Sequence, residues 1–172
     1  MKFITLLILK FFDSFHKKKI INFFNNNKIY NFDTVIDIGG HKGESIIFFL
    51  KHFKTKNIYS FEPSPINFEN LKKNIRKINK KFSNKENINI VIENLALGEK
   101  NQKLQLNQFI ESSSSSIKEI DTDNYYFKKK IKFLNLKNEK NLFKKYDINM
   151  ITLSDYTNKK KLKIIDFVKI DT

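Results

Sequence analysis

Val35-Ile36-Asp37-Ile38-Gly39-Gly40-His41-Lys42-Gly43-Glu44 decides the fold of this chain. Its first four residues read as a short buried strand, Val35–Ile38. The glycines then break the strand into a turn. Ile46, Ile47, Phe49, Leu50 and Phe53 follow at helical spacing, which predicts a helix over 44–53. Further on, Ile58-Tyr59-Ser60-Phe61-Glu62-Pro63 reads as a second strand that closes on a carboxylate. A strand, a glycine turn at a helix N-terminus and an acid ending the next strand are the parts of a nucleotide-type cofactor site. Glycine lets the backbone approach a ligand closely, and the acid accepts both hydroxyls of a ribose. Three of the chain's 4 glycines, Gly39, Gly40 and Gly43, fall in this one turn, which marks a special backbone site.

The order of residues narrows the cofactor. A dinucleotide turn cradles a pyrophosphate, usually as G-x-G-x-x-G. Here Asp37 lies two residues before Gly39. That acid repels a pyrophosphate and suits a cofactor bearing an ammonium group. S-adenosylmethionine has that ammonium, a ribose diol and no phosphate. An NAD-type dinucleotide enzyme is the alternative that Asp37 argues against.

Asp37-Ile38-Gly39-Gly40-His41-Lys42-Gly43-Glu44, Phe61-Glu62-Pro63-Ser64-Pro65, Ala96-Leu97-Gly98 and Lys169-Ile170-Asp171-Thr172 together resemble the successive motifs of the FkbM family of class I S-adenosylmethionine-dependent methyltransferases. The resemblance spans Asp33 to Thr172. It implies an α/β, Rossmann-like fold with a mostly parallel sheet and flanking helices, and methyl transfer to a hydroxyl of a sugar, glycan or small metabolite. It also implies that further strands follow, so the chain reads as a domain incomplete at its C-terminus, with residues 1–32 a helical segment and 33–172 the partial cofactor-binding domain. On this reading Asp37, Gly39, Gly40, His41, Gly43 and Glu62 bind the cofactor. Asn94 and Ala96, after the third strand, lie where related sites hold the adenine. His41, in the turn, and Asp171, at the last strand's end, are the catalytic candidates. Methyl transfer depends above all on alignment of the reacting atoms, so no strong nucleophile is required.

Composition bounds the rest. With 172 residues, 40% of them hydrophobic, the chain supports one domain with a sizeable core. It has no cysteine, so disulfides and thiolate metal sites are excluded, and a reducing cytoplasm suits it. His16, His41 and His52 are too scattered for a zinc site, and no metal is expected. The net charge is +15, but the basic residues are spread along the chain and all except Arg76 are lysine. A specific nucleic-acid binder concentrates its basic residues and uses arginine forks, so none is expected. A non-catalytic basic protein binding RNA or an anionic membrane is the remaining alternative.

Residues 1–16 read as a helix with Phe3, Leu6, Leu7, Phe11 and Phe15 at helical spacing, too short in its apolar run to span a bilayer. Docking on the catalytic domain is the first reading, and weak peripheral membrane contact through residues 1–19 the second. Beyond the glycine turn, the pattern predicts a helix from Ser64-Pro65 to about Asn79 and a strand at Ile88–Ile92. It then predicts a half-exposed strand at 103–107, a serine loop at 112–116 and an irregular stretch at 121–145. Short strands at 150–153 and 164–170 close the chain.

Overall fold

The computed structural model describes residues 15–85, 87–109, 115–118, 121–134 and 142–171. The described residues fall into two compact units, one of 15–31 with 121–134 and one of 32–118 with 142–171. Most of the predicted helix at 1–16, Ser112–Ser114 of the serine loop, and Thr172 lie outside the described residues.

The larger unit holds two sheets. The first has strand order β3-β2-β1-β8, formed by β1 (Asn31–Ile38), β2 (Lys54–Phe61), β3 (Asn89–Glu93) and β8 (Phe167–Ile170). β1 pairs with β8 in parallel, Asp37 opposite Lys169, and β2 pairs with β3 in parallel, Phe61 opposite Glu93. β1 lies inside this sheet, so Val35, Ile36 and Asp37 are fully buried. That double-sided burial is why its sequence is a continuous apolar run and not an alternation.

Local chemistry sets the helices. α2 (Glu44–His52) starts at Gly43, which takes the left-handed φ of 87°, and buries Ile46, Phe49 and Leu50 at i, i+3 and i+4. Its end is held by the Lys85 ammonium, which donates to the carbonyls of Leu50 and Phe53. α3 (Pro65–Lys81) is capped by Ser64, whose hydroxyl accepts the Asn67 N–H at 3.3 Å, with Pro65 in its first turn. Phe32, Phe49, Phe53 and Phe167 pack as neighbouring rings, 5.0 Å apart for Phe32 and Phe53 and 5.3 Å for Phe49 and Phe167, joining β1, α2 and β8. A second cluster places Tyr156 of α5 (Leu153–Lys160) against Ile36, Tyr59 and Phe61.

The second sheet has order β4-β7-β5-β6, from β4 (Ala96–Gly98), β5 (Gln102–Phe109), β6 (Ser115–Ser116) and β7 (Phe143–Thr152). β7 runs parallel to β4 and antiparallel to β5, and β5 antiparallel to β6. This sheet corrects the expectation of an irregular stretch over 121–145. β7 begins at Phe143, because Lys144 and Lys145 find cross-strand partners in Gln108 and Asn107. α4 (Tyr125–Leu134) forms where irregular chain was expected. In the smaller unit, residues 15–26 are helical (α1), within a stretch, 17–32, that reads in sequence as a polar connection or a second short helix.

Candidate functional site

The glycine turn lies between the ends of β1 and β2, and each of its N–H groups is satisfied within the chain. Gly39 and Gly40 both donate to the Phe61 carbonyl at 2.9 Å. His41 donates to Glu62 Oε2 at 2.8 Å, Lys42 to Glu44 Oε2 at 3.1 Å, and Gly43 to the Gly40 carbonyl at 2.7 Å. Asn74 of α3 fixes the turn from the other side, donating to the Lys42 carbonyl at 3.1 Å. Glycine is required here for two reasons. Gly39 and Gly43 both have φ of 87°. A Cβ on Gly39 would collide with the Asp171 carbonyl, and one on Gly40 with the Ser60 hydroxyl.

Glu62 is buried, 4% exposed, directly beside this turn. Its Oε2 accepts the His41 N–H and its Oε1 the Ser64 N–H at 3.0 Å, and the Asn67 side chain adds a third bond. Burial pushes its carboxyl above the ordinary range, and the two backbone donors and Asn67 pull partly back. A carboxylate offers about four acceptor positions, so acceptor capacity remains after these bonds.

Asp37 is fully buried. Its Oδ2 accepts from the Ser60 hydroxyl at 2.8 Å, and Oδ1 lies 3.2 Å from the Lys169 ammonium, an ion pair off hydrogen-bond alignment. Burial raises its pKa, and Lys169 and Ser60 act the other way. The same ammonium donates to the Gly39 carbonyl at 3.2 Å and lies 3.5 Å from Asp171 Oδ2. The Asp171 side chain is 79% exposed, and its N–H bonds the Ile38 carbonyl at 3.0 Å.

The fold therefore brings Asp37, Gly39, Gly40, His41, Gly43, Glu62 and Asp171 to the adjoining ends of β1, β2 and β8. Asn94 joins them, but its side-chain amide is used structurally, donating to the carbonyls of Glu62 at 2.8 Å and Pro63 at 3.1 Å. Ala96 does not face this group. It packs with Leu106 and Ile148 in the core of the second sheet, because the chain changes sheets between β3 and β4. His41 has a left-handed φ of 43°, with Nδ1 3.6 Å from Glu44 Oε1 and Nε2 buried without a partner among the described residues. Sequence reasoning missed Lys169 and Ser60. A lone lysine inside the apolar run Phe167-Val168-Lys169-Ile170 was the available signal for the first.

A parallel sheet flanked by helices, with a glycine turn and a buried acid at adjoining strand ends, defines a Rossmann-like domain. The chain belongs to the methyltransferase FkbM domain family, whose model matches residues 37–172. The crystal structure of methyltransferase FkbM from Methylobacillus flagellatus KT at 2.20 Å resolution is similar to it, with 16% identity and a TM-score of 0.45 over 81% of this chain. The chain spans 26% of the length of that protein. No curated protein matches the chain. Among the described residues, no helix is long and apolar enough to cross a membrane, and no group of three or more acidic, histidine or cysteine residues is arranged to hold a metal.

Proposed function

We propose that this chain is the donor-binding part of an S-adenosylmethionine-dependent methyltransferase acting on a hydroxyl of a sugar, glycan or small metabolite. The observation that carries this reading is the glycine turn whose N–H groups are all satisfied internally, beside the buried Glu62. A pyrophosphate cradle presents free N–H groups to its ligand. A turn with none to spare, flanked by Asp37 and Glu62, fits a phosphate-free cofactor better than a dinucleotide.

The residues present fit such a group. Glu62, fixed by three donors, keeps acceptor capacity for the ribose diol. Gly39 and Gly40 keep the turn clear of side chains. Asp37, Lys169 and Asp171 form a charged frame at the strand ends, with Lys169 offsetting two carboxylates at once. When bound, the cofactor supplies an electrophilic methyl group on a sulfonium, ready for in-line transfer. Hydroxyl acceptors then need only orientation and removal of one proton. His41 turns Nδ1 toward Glu44 and keeps Nε2 unpartnered among the described residues, and Asp171 offers an exposed carboxylate, so these two remain the candidates for taking that proton.

Calorimetric titration with S-adenosylhomocysteine, run beside NAD, tests the reading. Micromolar binding of the first, lost in Glu62→Ala, is expected. Binding of NAD instead would overturn it. Incubation with labelled donor and a panel of sugars, read by mass for added methyl ether, tests the acceptor class.

A further inference from the structure

More than half of the large apolar side chains that stand exposed among the described residues lie in the smaller unit, 15–31 with 121–134. On α1, Phe24 is buried while Phe23 is 60% and Ile20 44% exposed. Phe15, Lys19 and Phe23 follow one another at i+4 on the side of the helix away from Phe24, and Ile20, three residues before Phe23 and four before Phe24, lies at the border between the two sides. Lys19 Nζ sits 4.7 Å over the Phe15 ring. On α4, Tyr125 and Tyr126 are 70% and 78% exposed, with rings edge to face at 5.7 Å. The described residues of this unit carry eight lysines against two aspartates and no arginine.

We propose that α1 and α4 seat this chain on an anionic lipid surface. An apolar stripe bordered by lysines is the pattern of a helix lying in the headgroup boundary, where lysine stems cover apolar surface while their ammonium groups reach the phosphates. Paired tyrosines suit the same depth, ring inward and hydroxyl in water. The unit's excess of lysine complements an anionic leaflet. Two other occupants fit less well. A second copy would bring two lysine-rich faces together. A nucleic acid would leave Ile20 uncovered, since isoleucine has no flat face on which a base can stack.

The test is flotation of the full chain with vesicles of phosphatidylcholine alone and of phosphatidylcholine with phosphatidylserine, at low and high salt. Binding is expected to the phosphatidylserine vesicles at low salt and to weaken as salt rises. The pair Ile20→Ser and Phe23→Ser should reduce it about tenfold, as should Lys17, Lys18 and Lys19 to Gln. Ile66→Ser, a comparably exposed site on α3, should leave it unchanged, and circular dichroism melts confirm that each variant is folded. The proposal is overturned by absence of vesicle binding, by variants on α1 that bind like the parent, or by binding to single-stranded RNA in place of vesicles.

Discussion

Lys169 places its ammonium 3.2 Å from Oδ1 of the fully buried Asp37, and the same group reaches the Gly39 carbonyl and Asp171. One cation thus ties the end of β1, the glycine turn and the end of β8. Lys169→Met removes it and leaves Asp37 to the hydroxyls of Ser60 and Ser45. A loss of about 1–3 kcal/mol in stability is expected, the range for stranding a buried polar group. Urea unfolding measures it. The double variant with Asp37→Asn should recover part of the loss, because the stranded charge is then gone.

The carboxylates near the turn titrate in opposite directions, and this shapes stability against pH. Asp37 and Glu62 hold their protons more tightly folded than unfolded, so stability falls as pH rises above their ordinary values of 3.8 and 4.5. Glu44 behaves the other way. Burial raises its pKa, but bonds from His41 and from backbone N–H groups outweigh this and bring it down to about 2. Its contribution is present above 4.5 and lost as pH falls from there to about 2. Unfolding midpoints across the acid range should show Glu44→Gln flattening the low-pH side and Asp37→Asn flattening the fall above it.

Glu62 must be ionised to accept two hydroxyls at once. Its raised pKa predicts that affinity for S-adenosylhomocysteine declines as pH drops through the acid range. Glu62→Gln should bind more weakly by about 1.5–3 kcal/mol and lose that pH dependence. An unchanged slope in the variant would assign the dependence to another group.

Substitution in the turn separates fold from site. Gly39→Val meets the Asp171 carbonyl and an unfavourable φ, both at the mouth of the turn. The expected outcome is loss of cofactor binding with the helical circular dichroism signal retained.

Asn94 reports on the exit of β2. Asn94→Ala removes two donors to the carbonyls of Glu62 and Pro63. Weaker cofactor binding with a stability loss of about 1 kcal/mol is expected, because Glu62 keeps its side-chain bonds and its N–H bond to the Glu93 carbonyl but loses the donor to its own carbonyl.

The parts of this design that were legible in sequence are local. β1, the turn, α2, β2, Glu62 and α3 each carry a short-range signal: an apolar run, clustered glycines, helical spacing, or Ser64-Pro65 at a helix start. The second sheet was not legible over 121–145, since β7 opens with Phe143-Lys144-Lys145, whose lysines read as solvated chain until β5 supplies their opposites. That the Ala96 side chain packs in the second sheet was not legible for a related reason. Nothing in Asn94-Leu95 announces that β3 and β4 enter different sheets. Lys169 was passed over because a lysine gains meaning only when the acid it neutralises is known, and that acid is Asp37, at the far end of the matched region.

The pairing of β1 with β8 joins positions such as Thr34 and Asp166, 132 residues apart, through a 2.7 Å bond from the Thr34 N–H to the Asp166 carboxylate. A contact of that span is made only against the loop-closure entropy of the chain between its ends. Sequence order also means that a chain emerging from a ribosome makes its glycine turn and Glu62 long before it makes Lys169. Until then Asp37 has no cation, and the first sheet lacks the strand that flanks it. Completion of the electrostatic frame is therefore a record that the chain has been made through β8, and a nascent chain stalled earlier would carry the cofactor motif without its counter-charge.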